Sequence, residues 1–121
     1  MEIRSTCPSV FTNDGAKFIA QMEALGFRVA HQKRNAGGTN VTLTIMKDDN
    51  DNSISITENE RFSTPFSGIR MNVDYLPDAL AEFKALGYVN LLPNVTDTKT
   101  SYATLLRSPE GIFVAVVEHI K

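Results

Sequence analysis

The sequence predicts an α+β chain built from two tandem copies of one module, each a strand, a helix and then three strands. Three observations carry this. The first is a repeat: Phe18-Ile19-Ala20-Gln21-Met22-Glu23-Ala24-Leu25-Gly26-Phe27 matches Ala79-Leu80-Ala81-Glu82-Phe83-Lys84-Ala85-Leu86-Gly87-Tyr88 at Ala20/Ala81, Ala24/Ala85, Leu25/Leu86 and Gly26/Gly87. The offset, 87 − 26 = 61, is half of the 121 residues. The second is a helical apolar period in both copies, and the third is strict alternation in the segments that follow them. At this length the chain reads as a single domain, with module one at 1–60 and module two at 61–121.

The elements follow in order. Asn13 and Asp14 are good caps for a first helix, and Phe18, Met22 and Leu25 recur at helical spacing to face a sheet. Gly26 suits the left-handed residue that ends it. In residues 40–46, Val41, Leu43 and Ile45 share one face and Thr42, Thr44 and Met46 the other. Asp48-Asp49-Asn50-Asp51-Asn52 has the composition of a turn, and residues 53–57 alternate again, which makes a hairpin. Residues 59–66, with Pro65, read as the link between modules. The second helix carries Pro77 in its first turn, where a missing N–H costs little; Leu76, Leu80 and Phe83 form its stripe, and Gly87 ends it. Residues 102–107, the turn Ser108-Pro109-Glu110-Gly111 and residues 112–119 form a closing hairpin.

Composition narrows the function. Twelve basic against fourteen acidic residues leave a net charge of −2, without the basic excess of a nucleic-acid binder. No apolar run approaches the roughly 20 residues of a membrane span, and the first residues hold no apolar signal core. A lone cysteine, Cys7, excludes an internal disulfide framework. A cytoplasmic protein with no nucleic-acid or membrane partner is expected.

Two tandem strand–helix–three-strand modules resemble the vicinal oxygen chelate superfamily, which includes glyoxalase I, the bleomycin resistance proteins and the extradiol dioxygenases. The local resemblance is best in Arg107-Ser108-Pro109-Glu110-Gly111-Ile112-Phe113-Val114-Ala115-Val116-Val117-Glu118-His119, which is similar to the family's acidic Pro-Gly turn and its metal-bearing last strand. Ala24-Leu25-Gly26-Phe27 is similar to the family's helix end. The resemblance implies eight strands in two curved mixed sheets around a concave pocket, with helices on the outer faces. It also implies a divalent ion held by His, Gln or Glu from the first and last strands of each module, where two cis oxygens of a substrate bind.

Carried over residue by residue, those ligand positions fall on Ala115, on Ser67 or Gly68, near Thr6, and within residues 53–57, which hold no carboxylate; Glu58 stands just past them. Thr, Ser and Ala do not hold such an ion tightly. His31 and His119 lack metal-ligand spacing, and Glu118 and His119, adjacent on a strand, point to opposite faces. Cys7 reads as a bystander thiol, and Asn35-Ala36-Gly37-Gly38-Thr39-Asn40 as a hairpin loop with no phosphate-binding signature.

Without metal or cofactor, the expectation is a glyoxalase/bleomycin-resistance-like protein that binds a small organic molecule. If Val41, Leu43 and Ile45 meet the first helix, Thr42, Thr44 and Met46 line the pocket, joined by Ser53, Ser55 and Thr57. In module two, Ile69, Met71 and Val73 meet the helix, and Arg70, Asn72, Ala103, Leu105, Arg107, Phe113, Ala115 and Val117 face inward. The ligand-contacting set is Thr6, Thr42, Thr44, Ser55, Arg70, Asn72, Arg107, Phe113 and Ala115, with Arg70 as an anion anchor and Phe113 as a stacking surface. Two other readings stand beside this one. One is a lyase, isomerase or dioxygenase-like enzyme with a non-standard metal site. The other is a structural or regulatory dimer without ligand. The resemblance also implies a homodimer, in which Glu58, His31 or His119 of a second chain is able to complete a shared metal site.

Overall fold

The computed structural model describes residues 1–36, 40–91, 96–97 and 101–119. Its elements are β1 (Ile3–Thr12), α1 (Gly15–Ala24), β2 (Arg28–Lys33), β3 (Thr42–Lys47), β4 (Ser53–Glu58), β5 (Phe66–Val73), α2 (Leu76–Ala85), β6 (Val89–Asn90), β7 (Thr96–Asp97), β8 (Ser101–Arg107) and β9 (Phe113–His119). Both strand–helix–strand modules are present, and the two-residue β7 on β8 is an addition to the eight strands expected. Among the described residues no helix is long and apolar enough to cross a membrane.

Two compact units result, residues 7–67 and residues 1–6 with 68–121. In the first, β2 pairs antiparallel with β3, β3 antiparallel with β4, and β4 parallel with the second part of β1. In the second, β5 pairs parallel with β9, β9 antiparallel with β8, and β8 with both β6 and β7. The start of β1 belongs here. Glu2 donates its N–H to Asp74 at 2.8 Å, and Asn72 Nδ2 donates to Ser5 Oγ at 2.8 Å.

Asp14 caps α1 by accepting from the Lys17 N–H, and Gly26 and Gly87 follow the two helices with φ of +102° and +93°, where glycine alone is unstrained. α2 packs fully. Leu76, Ala79 and Phe83 close over Val73, Leu106, Val114 and Val116, and Tyr88 meets Phe83 edge-on at 4.9 Å. α1 packs thinly: Phe18 and Met22 are half-buried, and Leu25, expected to face the sheet, is 71% exposed.

The link between modules is held down. Phe62 and Phe66 pack on Phe11, Phe66 stacked at 4.7 Å and Phe62 edge-on at 5.9 Å, while Asn59 donates its N–H to the Thr12 carbonyl. In the loop at 35–40, Asn35 and Asn40 take φ of 51° and 60°, and Asn40 donates its N–H to Asn35 Oδ1; residues 37–39 lie outside the described set.

The β3–β4 turn is organised by Asp48, whose carboxylate accepts from the Asn52 side chain and from the Asn50 and Asn52 N–H groups. The Asn52 amide, then the backbone donors, hold this carboxyl below its ordinary value of 3.8. A lowered folded value means the stabilisation is present above the unfolded pKa and is lost as pH falls through the folded one. The stability gap between wild type and Asp48→Ala is therefore expected to be constant near neutrality and to close in acid. Thermal melts of both proteins across that range check it.

Candidate functional site

Cross-strand register decides which expected site residues come together. In the second unit, Gly68, Arg70 and Asn72 on β5 stand beside Phe113, Ala115 and Val117 on β9, which stand beside Arg107, Leu105 and Ala103 on β8. All nine share the face opposite α2, because the intervening Met71, Val114, Val116 and Leu106 pack with the helix. Arg70, Asn72, Phe113 and Ala115 are half-buried there, and Arg107 is exposed at the strand end.

Two features shape this face. At Gly68 the backbone of β5 lies so close to Phe113 that any Cβ would overlap the Phe113 carbonyl oxygen. Only glycine lets the two strands meet there and places Arg70 two residues on. Asn72 then donates one amide hydrogen to Ser5, while its Oδ1 is shut from solvent and has no hydrogen-bond partner among the described residues. A buried acceptor left in this state costs about 1–3 kcal/mol.

The other expected residues lie elsewhere. Thr6 is exposed, and strand parity turns it to the side opposite Ser5, so Ser5 is the residue that meets Asn72. Thr42, Thr44 and Met46 face α1, which corrects the expected assignment of β3. They pair with Glu58, Ile56 and Ile54, and Gly15 of α1 donates its N–H to Glu58. The helix takes this face because Met46 and Ile56 are fully buried on it, and Gln32 Nε2 satisfies Thr44 by donating to its hydroxyl. Ser55 pairs with Ile45 and Ser9, so it is on the opposite face from the two threonines. Ser9 is fully buried beside it, and its hydroxyl has no hydrogen-bond partner among the described residues.

Sequence reasoning missed the task of two carboxylates. Glu58 Oε2 accepts the first N–H of α1 at 2.6 Å, and Glu118 Oε1 accepts the first N–H of α2 at 2.6 Å. They are repeat equivalents, since 118 − 58 = 60 and 76 − 15 = 61. Each last strand thus sends an acid to the positive end of its own module's helix. α2 depends on it, because Tyr75 at its N-cap makes no side-chain cap bond. Glu118→Ala is expected to lower stability by about 1–2 kcal/mol, the range for losing a cap and its charge, and Glu118→Gln by less. Urea unfolding of the three proteins measures the order.

The divalent ion implied by the resemblance does not fit these residues. Where first and last strands pair, Ser9 stands beside Ser55 and Arg70 beside Ala115. An arginine and an alanine offer no ligand, serine hydroxyls are weak ones, and the carboxylates of Glu58 and Glu118 are committed to helix ends. Among the described residues no three His, Cys, Asp or Glu side chains gather as a metal site; His31 and His119 are both exposed.

No family model matches the sequence, and no curated protein matches it. Solved structures do. Methylmalonyl-CoA epimerase from Mycobacterium tuberculosis superposes with a TM-score of 0.70 at 12% identity, over 98% of this chain and 90% of that one. Glyoxalase I from Zea mays gives 0.65 at 13%, over 93% of this chain and 42% of that one. A glyoxalase/bleomycin resistance protein/dioxygenase superfamily member from Vibrio splendidus 12B01 gives 0.56 at 12%, over 94% and 97%. At such identities the likeness is one of backbone architecture. The chain has the fold of the vicinal oxygen chelate superfamily, the one its sequence resembles.

Proposed function

We propose that the protein binds a small organic acid, without a metal, on the face of β5, β9 and β8 opposite α2. The observation that carries this is the gathering of Arg70, Asn72 and Phe113, each half-buried, on one face of the paired strands β5 and β9. Arg70 supplies a guanidinium for a carboxylate, the Asn72 amide group a polar neighbour for a hydroxyl, and the Phe113 ring apolar area. The matching ligand has an anionic end, a hydroxyl near it and an apolar body. The structural neighbours include an epimerase and a glyoxalase by name, which supports a small-molecule site on this scaffold and leaves the chemistry to the residues here.

Salicylate and mandelate are suitable probes, because each joins a carboxylate to a hydroxyl on an aromatic body. Saturable binding by calorimetry is expected, with Arg70→Ala weakening it about tenfold to a hundredfold, the worth of a charge-assisted hydrogen bond. Asn72→Leu is expected to weaken the hydroxy acids more than benzoate, which lacks the hydroxyl. Binding unchanged in both variants, or no binding by either probe, overturns the proposal.

A further inference from the structure

We propose that the cleft beneath α1 is a second binding site, and that it takes a small zwitterion of α-amino-acid size. The cleft measures about 310 Å³ and lies between α1 and the strands β2, β3 and β4. It rests on different residues from the organic-acid site on β5, and neither proposal depends on the other.

The repeat explains why the space exists. In module two the helix is seated by Leu76 and Phe83, both buried. The residues 61 earlier are Gly15 and Met22, since 76 − 61 = 15 and 83 − 61 = 22. With no side chain at 15 and a half-buried methionine at 22, α1 does not close over the sheet. Filling the gap from position 15 would disturb the helix cap, because a Cβ there would stand 3.2 Å from the carboxylate of Glu58, which would have to shift by a few tenths of an ångström. The floor is Thr44 and Ile56, both 1% exposed, and Ile19 forms part of the helix wall.

The charges on this cleft define its ligand. Arg34 comes from beyond the end of β2, Glu23 from α1 and Glu58 from the end of β4. Among the described residues neither Arg34 nor Glu23 is in a salt bridge; the bridges are made by other residues. A simple anion entering here meets the carboxylate of Glu23, and a simple cation meets the guanidinium of Arg34. A molecule carrying both charges satisfies both walls, with its carboxylate on Arg34 and its ammonium towards Glu23. The Thr42 hydroxyl adds a neutral partner and Ile19 an apolar one. The volume is at the lower end of ligand pockets, which suits an amino acid and excludes a nucleotide.

The test is a nitrogen-15 NMR titration of the full chain with the standard α-amino acids at millimolar concentration, with acetate and methylammonium as single-charge controls. Saturable shifts of the Ala16, Gln32 and Thr44 amides are expected with at least one amino acid and with neither control. Arg34→Ala, an exposed change, is expected to weaken that binding about tenfold or more. Ala16→Leu, which fills the cleft from an exposed helix position, is expected to abolish it. No saturable shift with any amino acid, equal shifts with acetate, or affinity unchanged in Arg34→Ala each overturns the proposal. Arg34→Ala keeps the test decisive should Ala16→Leu fail to fold.

Discussion

Gly68→Ala is expected to lower stability by about 3 kcal/mol, at the upper end of what overpacking costs, and the melting midpoint by roughly 10 °C. An alanine methyl at this position overlaps the Phe113 carbonyl oxygen, a backbone atom that cannot swing away as a flexible side chain can. Relief requires β5 and β9 to part along a ladder that runs from Gly68–Phe113 to Asn72–Val117. Arg70 and Asn72 ride on that ladder, so the same change is expected to weaken salicylate binding even where the protein remains folded. Thermal melts and calorimetry on one preparation separate the two effects. An alanine variant as stable as wild type would overturn this close approach of β5 and β9.

Phe83→Ala is expected to cost about 4 kcal/mol, while its repeat equivalent Met22→Ala costs about 1 kcal/mol; the larger figure is that of emptying a packed core. Phe83 is 6% exposed, closes over Val114 and Val116, and meets Tyr88 edge-on. Met22 is only half-buried, so its truncation leaves no sealed cavity. Urea midpoints of the two variants report the asymmetry directly. Equal losses would show α1 seated as firmly as α2 and would remove the basis of the cleft.

The helices were legible because their signals are local. Asp14 caps, Pro77 opens a first turn, and Gly26 and Gly87 carry the positive φ that ends a helix. The faces of module two were legible because Met71 and Val73 alternate with Arg70 and Asn72, leaving one apolar choice; Ile69, expected against the helix with them, is instead 39% exposed. Module one was harder. Val41, Leu43 and Ile45 outweigh Thr42, Thr44 and Met46 in apolarity, so alternation on β3 alone points the wrong way. Partner strand register settles it, since the turn at 48–52 sets Met46 opposite Ile54 and Thr44 opposite Ile56. Reading both strands of the hairpin together would have placed the helix over Met46 and Ile56. Thr6 was misplaced for a related reason. Arg4-Ser5-Thr6-Cys7 is polar at both parities and offers nothing to choose between Ser5 and Thr6.

Of the candidate site, the cluster on β5, β9 and β8 was readable and the carboxylate caps were not. A glutamate at a strand end looks like any surface acid until the helix N-terminus is known to be above it. The signal available was the repeat itself, which places Glu58 and Glu118 at nearly the same offset as Gly15 and Leu76. That offset also sets Gly15 against Leu76, the substitution behind the cleft.

The division of β1 dictates an order of events during synthesis. Residues 7–67 form a unit from one continuous stretch, so it is complete once that stretch has left the ribosome. The other unit needs residues 1–6 together with 68–121, and Glu2 waits for Asp74, 72 positions later. Closing so wide a gap costs chain entropy, and such long-range pairings form late. The nascent chain therefore passes through a stage in which one module is built while residues 1–6 wait for their partners. Edge-exposed segments of that kind are where wrong partners are captured. The polar run Arg4-Ser5-Thr6 keeps that waiting segment a poor nucleus for aggregation.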